Sequence, residues 1–446
     1  MKIIKVLLLL IFFNAVNGFG AKIINHIVVL TPIYKSYDSF RDELGVFEPR
    51  EIKRPGKIYV KGDFLLISDM GHGVHIINNQ NYKKPEKLAF IKIPGNYDMA
   101  VKDHMLYVDS YVDFVAIDIS ILKKGNLKNV YRKIKEVNRI ENVFLHRAVD
   151  QGYWENKYRK EHGCYDCSFE FDKIDPKKGI MTGWQVDRTK TEVLHVKYAA
   201  RSSGGSGGYT PKVNFGGSGQ GQGGSMARFG IYKNYLYAVD YKNMAVFHIK
   251  DLSHPEKVNQ INIGRRIETI FVHKCYLFIG SEDGMYLYDI CNDAKKPKFV
   301  NRVRHIRARD PVVVNRNMAF VTIRNLNGFG GWFIPVDVTD LQNPKRLSSY
   351  GMLSPHGLGV QNDLIFICQG RYGFDIYRYK KHPTYFELNQ IYDLRKNQKK
   401  LYRKLGGNKN SFYDVILLKN FIIVSTQKGI FQFQYDNQLF LLSRIK

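Results

Sequence analysis

One sequence unit returns seven times in this 446-residue chain, and that repetition constrains the fold more than any single motif. The unit is an apolar strand, a two-residue turn, a second apolar strand and a third. It reads KIYVKGDFLLISDMGHGVHIIN from Lys57 and DMAVKDHMLYVDSYVDFVAID from Asp98. It returns as RFGIYKNYLYAVDYKNMAVFHI from Arg228, ETIFVHKCYLFIGSEDGMYLYDI from Glu268 and DPVVVNRNMAFVTIRN from Asp310. The last copies are HGLGVQNDLIFICQGRYGFDIY from His356 and DVILLKNFIIVSTQKGIFQF from Asp414. Self-similarity at a period of about 40 residues marks a radial or solenoid array, whose units cannot bury their apolar faces alone.

In most copies the third strand runs into a proline turn, at Lys84-Pro85, His254-Pro255, Lys296-Pro297, Asn343-Pro344 and His382-Pro383. A fourth strand follows, such as KLAFIKI from Lys87 or FLLSRI from Phe440. Four short antiparallel strands per unit make a propeller blade. A β-solenoid would show shorter coils and helical repeats a 3.6-residue periodicity, and the chain has neither. The spacing therefore predicts an all-β fold, a seven-bladed β-propeller of four-stranded antiparallel blades over residues 56–446. Ile23 to Leu30 (IINHIVVL) is a candidate for the strand that closes the ring.

Residues 1–20 read as a signal peptide: Lys2 and Lys5 precede the apolar stretch Val6 to Phe13, and small residues follow at Ala15, Gly18, Gly20 and Ala21. An uncleaved anchoring helix is the competing reading. Residues 21–55 form an N-terminal segment expected to pack on the propeller, with Tyr37, Phe40, Arg41 and Leu44 spaced for a short helix. The rhythm breaks once, in a Gly-rich insertion at 143–225, whose second half (SGGSGGYTPKVNFGGSGQGQGGS) has too little apolar area to offset its ordering entropy by itself. A surface loop is the default reading and a lid over one propeller face the functional one.

Sixty-eight basic against 41 acidic side chains give a net charge of +27, so anionic surfaces will attract the chain. The charges are scattered through the turns, which argues against dedicated nucleic-acid binding. The dense run is Arg395 to Lys404 (RKNQKKLYRK), inside the sixth repeat's insertion. Cys164 and Cys167 form a C-x-x-C, read as a small disulfide or a redox pair, while Cys275, Cys291 and Cys368 stand singly within repeats. No second C-x-x-C completes a zinc tetrahedron, and no metal site is expected. His72 and His75 lie three apart on a strand and so face opposite ways. The G-x-G spacing at Gly217, Gly219 and Gly221 has no strand before it or helix after it, so it carries no nucleotide site.

Aligning the repeats yields a candidate site. A polar or charged residue precedes the first strand of each unit: Lys57, Asp98, Arg228, Glu268, Asp310, His356 and Asp414. If the first strand is innermost, these side chains ring one mouth of the central channel, which would focus their field on a cation or polar ligand. The favoured reading is that they cap the innermost strands, hydrogen-bonding the backbone amides of neighbouring blades. Glu268 and Asp310 are candidates for an acid–base pair, since converging like charges push pKa values apart.

At these motifs the chain resembles the LVIVD-repeat propeller proteins common in Bacteroidetes. The matching stretches are FLLISDMGHGVHIIN, MLYVDSYVDFVAIDIS, YLFIGSEDGMYLYDI, RARDPVVV and SPHGLGV, with TPIYKSYDSFRDEL ahead of the first blade and GQGGSMARF ahead of the third. The resemblance runs from Thr31 to near the end. It implies an exported cell-envelope propeller, and it brings no catalytic residues, cofactor or activity with it. Members are often lipoproteins, yet Asn14 to Lys22 contains no cysteine; the expected location is periplasmic, outer-membrane-associated or secreted, with the missing cysteine favouring a soluble periplasmic or secreted protein.

The leading expectation is a monomeric, non-catalytic binding or scaffolding propeller for a protein or glycan partner in the envelope, its cofactor unknown. The alternative is an envelope hydrolase or lyase using the channel-mouth acids, with or without a bound cation.

Overall fold

The computed structural model describes residues 22–123, 127–149, 151–164, 167–195, 217–218, 222–223, 225–264, 266–304, 311–325, 330–419 and 421–446. The expected signal peptide, residues 1–20, lies outside them, as does Asp310. The chain divides into two compact units.

The larger unit comprises 35–149, 178–180 and 212–446, and it contains all seven repeats. Each repeat is an antiparallel sheet. Blade 1 is Pro55–Lys61, Phe64–Asp69, Gly73–Asn78 and Glu86–Lys92; blade 2 is Met99–Lys102, Met105–Ser110, Asp113–Asp118 and Lys135–Ile140. Blade 3 is Phe229–Tyr232, Tyr235–Val239, Asn243–His248 and Glu256–Asn262; blade 4 is Ile267–His273, Tyr276–Ser281, Gly284–Asp289 and Lys298–Arg304. Blade 5 is Val312–Asn315, Met318–Arg324 and Gly331–Asp337, with its fourth strand split into Lys345–Arg346 and Tyr350–Met352. Blade 6 is Leu358–Gln361, Leu364–Cys368, Phe374–Lys381 and Phe386–Asp393; blade 7 is Phe412–Leu417, Ile422–Thr426, Gly429–Asp436 and Gln438–Ile445.

The near-continuous apolar runs of the second strands follow from burial on both faces. Side chains alternate along a strand, so neighbouring residues serve different cores. Leu236 and Ala238 pack with blade 2, while Tyr237 and Val239 pack with blade 4. Leu277 and Ile279 turn back to blade 3, and Phe278 reaches blade 5. Ile365 and Ile367 meet blade 5, and Phe366 and Cys368 meet blade 7. The alternation continues to the last junction, where Ile416, Ile423, Ile430 and Ile445 of blade 7 pack on Ile58, Leu65, Ile67 and Ile77 of blade 1. The seven sheets thus close a ring: the chain is a seven-bladed β-propeller.

Closure uses side chains rather than an exchanged strand. Blade 7 draws all four of its strands from its own repeat, and Asn79 and Gln432 exchange buried amide hydrogen bonds (3.0 and 2.7 Å) across the junction. Ile23 to Leu30, the candidate closing strand, lies instead in the smaller unit. There Lys22–Lys35 is the central strand of a three-stranded sheet, flanked by Ser168–Phe169 and Ile180–His195. That unit also holds the helix Gln151–His162 and an aromatic cluster in which Trp184 meets Phe169 and Phe171 edge-on.

Within the larger unit, Tyr37–Arg41 forms the expected short helix, capped by the Ser36 hydroxyl. Its Phe40 is fully buried with Val112, Ala148 and Ile180, and its Arg41 pairs with buried Asp113 of blade 2. Gly45–Phe47 then adds a strand to the outer edge of blade 1.

Candidate functional site at the inner ends of the blades

The described candidate residues stand at or near the start of the innermost strands, and burial decides what they do. Lys57 Nζ lies 2.5 Å from Asp98 Oδ1, both side chains closed off from water. A buried backbone amide needs a partner, and Asp98 supplies several: its Oδ1 accepts from the Met99 amide (2.7 Å), and its Oδ2 accepts from the amides of Phe229 (3.0 Å) and Arg228. The carboxylate of one blade therefore caps the first strand of the next. Burial pushes Asp98 up and Lys57 down, each opposed by attraction to the other.

A second layer holds Asp98. Asp109, at the end of blade 2's second strand, accepts from the amides of Tyr97 (2.8 Å) and Asp98 (2.9 Å) and from Asn96 Nδ2 (2.9 Å). Its other oxygen pairs with Arg147, whose side chain is nearly buried. Arg228 is depressed by burial and by the neighbouring Arg147, against the pull of Glu268, Asp109 and Asp98. The Arg228 Nε meets no hydrogen-bond partner among the described residues.

Asp414 lies in the first strand of blade 7. Its Oδ1 accepts from the Val415 amide (2.9 Å), the Ser225 amide (3.3 Å) and the Ser225 hydroxyl (3.1 Å). Burial pushes this carboxyl up to about 7, against those hydrogen bonds and Lys57. Ser225 Oγ also accepts from the Leu358 amide (2.8 Å), so one hydroxyl ties the first strands of blades 6 and 7 together. His356 is buried with its Nδ1 2.8 Å from the Ser354 carbonyl, and its own carbonyl accepts from Thr322 Oγ1 (2.6 Å). Gly357 is required here, since a Cβ would come within 2.2 Å of Asp414 Oδ1.

Ser225 ends the Gly-rich stretch, and two described pieces of that stretch, Gly217–Ser218 and Gln222–Gly223, lie at the inner edges of blades. Gly217–Ser218 pairs in parallel with Phe229–Gly230, and Gln222–Gly223 pairs antiparallel with Tyr59–Val60. Both pairings use the inner edges of first strands, the edges that otherwise face the channel. Glycine suits a strand that must bring its backbone close to others in confined space. This part of the insertion is thus an inner partner of blades 1 and 3 rather than a loop over a face.

Of the residues singled out by repeat alignment, Lys57, Asp98, Arg228 and Glu268 fall in one electrostatic network, with Asp414 coupled to it through Lys57. Asp310 lies outside the described residues, so its pairing with Glu268 does too. Alignment of first strands misses Asp109, Asn96, Arg147 and Ser225. A signal for Asp109 does exist: the second strands of the first three copies each carry an Asp at or next to their last residue, at Asp69, Asp109 and Asp240. Each accepts backbone amides, and His75 and His146 pair with the outer two. Among the described residues no group of three or more His, Cys, Asp or Glu side chains is placed to hold a metal ion.

Cys164 and Cys167 are joined as a disulfide. A second disulfide joins Cys275 and Cys291, residues that the sequence leaves single. Blade 4 explains it: Tyr276 pairs with Asp289 at the end of a hairpin ladder, and the two cysteines lie just beyond that pair. Cys368 is free and buried, and burial pushes its thiol up.

No family model matches the chain, and no curated protein matches it. Among solved structures, the computationally designed Ika8 protein aligns at a TM-score of 0.49 and 7% identity, covering 88% of this chain and 87% of that one. Hsv2 of Kluyveromyces lactis aligns at 0.45 and 8%, covering 87% and 98%. These are likenesses of fold.

Proposed function

We propose that this chain is an exported cell-envelope propeller of the LVIVD-repeat kind, acting as a non-catalytic binding or scaffolding protein for a protein or glycan partner. The observation that carries the reading is the commitment of the inner acids. Asp98 and Asp109 spend both oxygens on backbone amides and cations, Asp414 gives its Oδ1 to two amides and a hydroxyl, and a piece of the protein's own Gly-rich stretch pairs along the inner edge of blade 1. Ligand contact then falls to the outward faces of a rigid frame. Two disulfides in one chain support an oxidising compartment. The test is capture of tagged protein from cross-linked envelope fractions. A stoichiometric partner retained at moderate salt supports the proposal; fractionation of the protein with reduced cytosol would sink it.

One observation favours the alternative, a hydrolase or lyase: Asp414 is held at about 7, the range of a general acid at neutral pH. Turnover of envelope polysaccharides that disappears in Asp414→Asn, while the melting temperature is kept, would replace the binding reading with that one.

A further inference from the structure

The dense basic run of the sixth repeat forms one wall of a groove of about 780 Å³. After Asp393 the chain leaves blade 6 as two short helices, Leu394–Asn397 and Lys399–Lys404, before starting blade 7. Leu394 and Leu405 anchor this insertion in the core between blades 6 and 7. The opposite wall is the turn between the second and third strands of blade 6, carrying Arg371 and Tyr372. Tyr402 fastens the walls together by donating to the Arg371 carbonyl at 2.6 Å. The groove is therefore a built feature of the fold.

Four cations line it: Arg371, Arg395, Lys399 and Arg403, and among the described residues its lining includes no Asp or Glu. The nearest acid in sequence, Asp393, is used elsewhere, accepting from the amides of Arg395 (2.9 Å) and Lys396 (3.1 Å) and pairing with Lys396 Nζ (3.2 Å). Lys399 and Arg403 are four apart on one helix, a like-charge spacing that destabilises helices. The groove thus holds mutual repulsion that an anionic ligand would relieve.

The ligand's chemistry follows from what the walls offer. Guanidinium forks match sulfate, phosphate and carboxylate oxygens in bidentate fashion. Binding to single-stranded nucleic acid also relies on open aromatic faces for base stacking. Here Tyr372 already carries the guanidiniums of Arg371 and Arg395 at 5.2 and 5.6 Å from its ring centre, and Tyr402 is pinned by its hydroxyl. A concave groove also suits a chain better than a flat bilayer surface.

We infer that this groove binds an acidic polysaccharide, a chain of sugars bearing sulfate or carboxylate groups. The inference deepens the binding reading above by naming a ligand class.

The experiment uses the purified full chain and a fluorescent heparin-derived oligosaccharide, followed by anisotropy across a salt series. The triple variant Arg395→Glu, Lys399→Glu, Arg403→Glu is compared with Lys257→Glu, Lys298→Glu, Lys345→Glu, which changes net charge equally on the exposed outer strands of blades 3 to 5. The groove variant is expected to lose about tenfold or more in affinity and the control less than about threefold, at one fixed ionic strength. Equal losses would reduce the binding to overall charge and overturn the inference. So would tighter groove-dependent binding of a single-stranded DNA oligomer, or of phosphatidylglycerol vesicles. If the triple variant melts early, Lys399→Gln with Arg403→Gln gives the same comparison with milder changes. Because this assay contains no envelope partner, its failure is separable from failure of the capture experiment.

Discussion

At the inner ends of blades 1 and 2, Lys57, Asp98 and Asp109 are shut off from water, Arg147 nearly so, and they are matched acid to base. On the blade 6 insertion, Arg395, Lys399 and Arg403 line an open groove with no Asp or Glu among its described lining residues. The residue types are alike, and the surroundings differ. Where charge is buried it must be compensated, and its compensation consists of strand ends and neighbouring blades. Where it is exposed, water compensates it, leaving it available to a ligand. The inner network therefore reads as architecture and the groove as a surface for recognition.

The most severe way to break this contrast is to remove one partner of the inner pair. Asp98→Ala leaves Lys57 buried without its carboxylate and strips the cap from the Phe229 amide. A loss of about 3–5 kcal/mol is expected in urea unfolding. Lys57→Met combined with Asp98→Asn should recover a large part of it, because neither group then carries a buried charge. A loss below about 1 kcal/mol for Asp98→Ala would mean that the inner acids are not structural.

Cysteines show the same division between committed and uncommitted groups. Cys275 and Cys291 are bridged within blade 4, and Cys368 is buried and free between blades 6 and 7. Replacing both bridged residues by Ser should cost roughly 3 kcal/mol, from the loop-closure entropy returned to the unfolded chain. In the native protein a thiol reagent should leave Cys368 unlabelled until denaturant is added. Fast labelling of Cys275 or Cys291 without reductant would refute the bridge.

These pairings mark where sequence reading succeeds. The seven repeats disclose the blade plan, because a strand buried on both faces writes its apolar run directly into the sequence. First-strand residues such as Asp98 and Asp414 can be found by alignment, since each repeat places a polar residue there. Their partners cannot: Ser225 reaches Asp414 from 189 residues away, and Arg147 reaches Asp109 from a connection outside the repeat pattern. Gly217–Ser218 and Gln222–Gly223 read as loop because they are held by backbone pairing, which side-chain pattern does not record. Cys275 and Cys291 look single because their proximity depends on hairpin register.

Asp414 allows the inner region to be tested by pH. Its folded pKa, about 7, lies above the value near 3.9 expected unfolded, so the folded state binds the proton more tightly. Its contribution is fully present below about pH 4 and is lost as pH rises through 7. Asp375, held at about 7 by burial and by Asp393, acts in the same direction. Buried His75 and the more exposed His146, both depressed by desolvation, act oppositely as pH falls below about 6.5, so the variant must be compared with wild type. Asp414→Asn keeps an oxygen for Ser225 and Val415 and removes the charge. Relative to wild type it should gain on the order of 1–3 kcal/mol between pH 5 and 8. A pH-independent difference would place the Asp414 pKa near its ordinary value.

The smallest effect belongs to the groove, and its smallness is the point. Lys399→Glu, at an exposed position, should change unfolding free energy by no more than about 0.5 kcal/mol. The sign should favour the variant, because Lys399 and Arg403 repel at i,i+4 and a glutamate four residues ahead of an arginine attracts. Screening sharpens this: added salt should narrow the difference between wild type and variant, since both the repulsion and the new attraction act through water. If Lys399→Glu instead cost as much as Asp98→Ala, the basic run would be part of the framework, and the division between buried architecture and exposed recognition would fail where it is most needed.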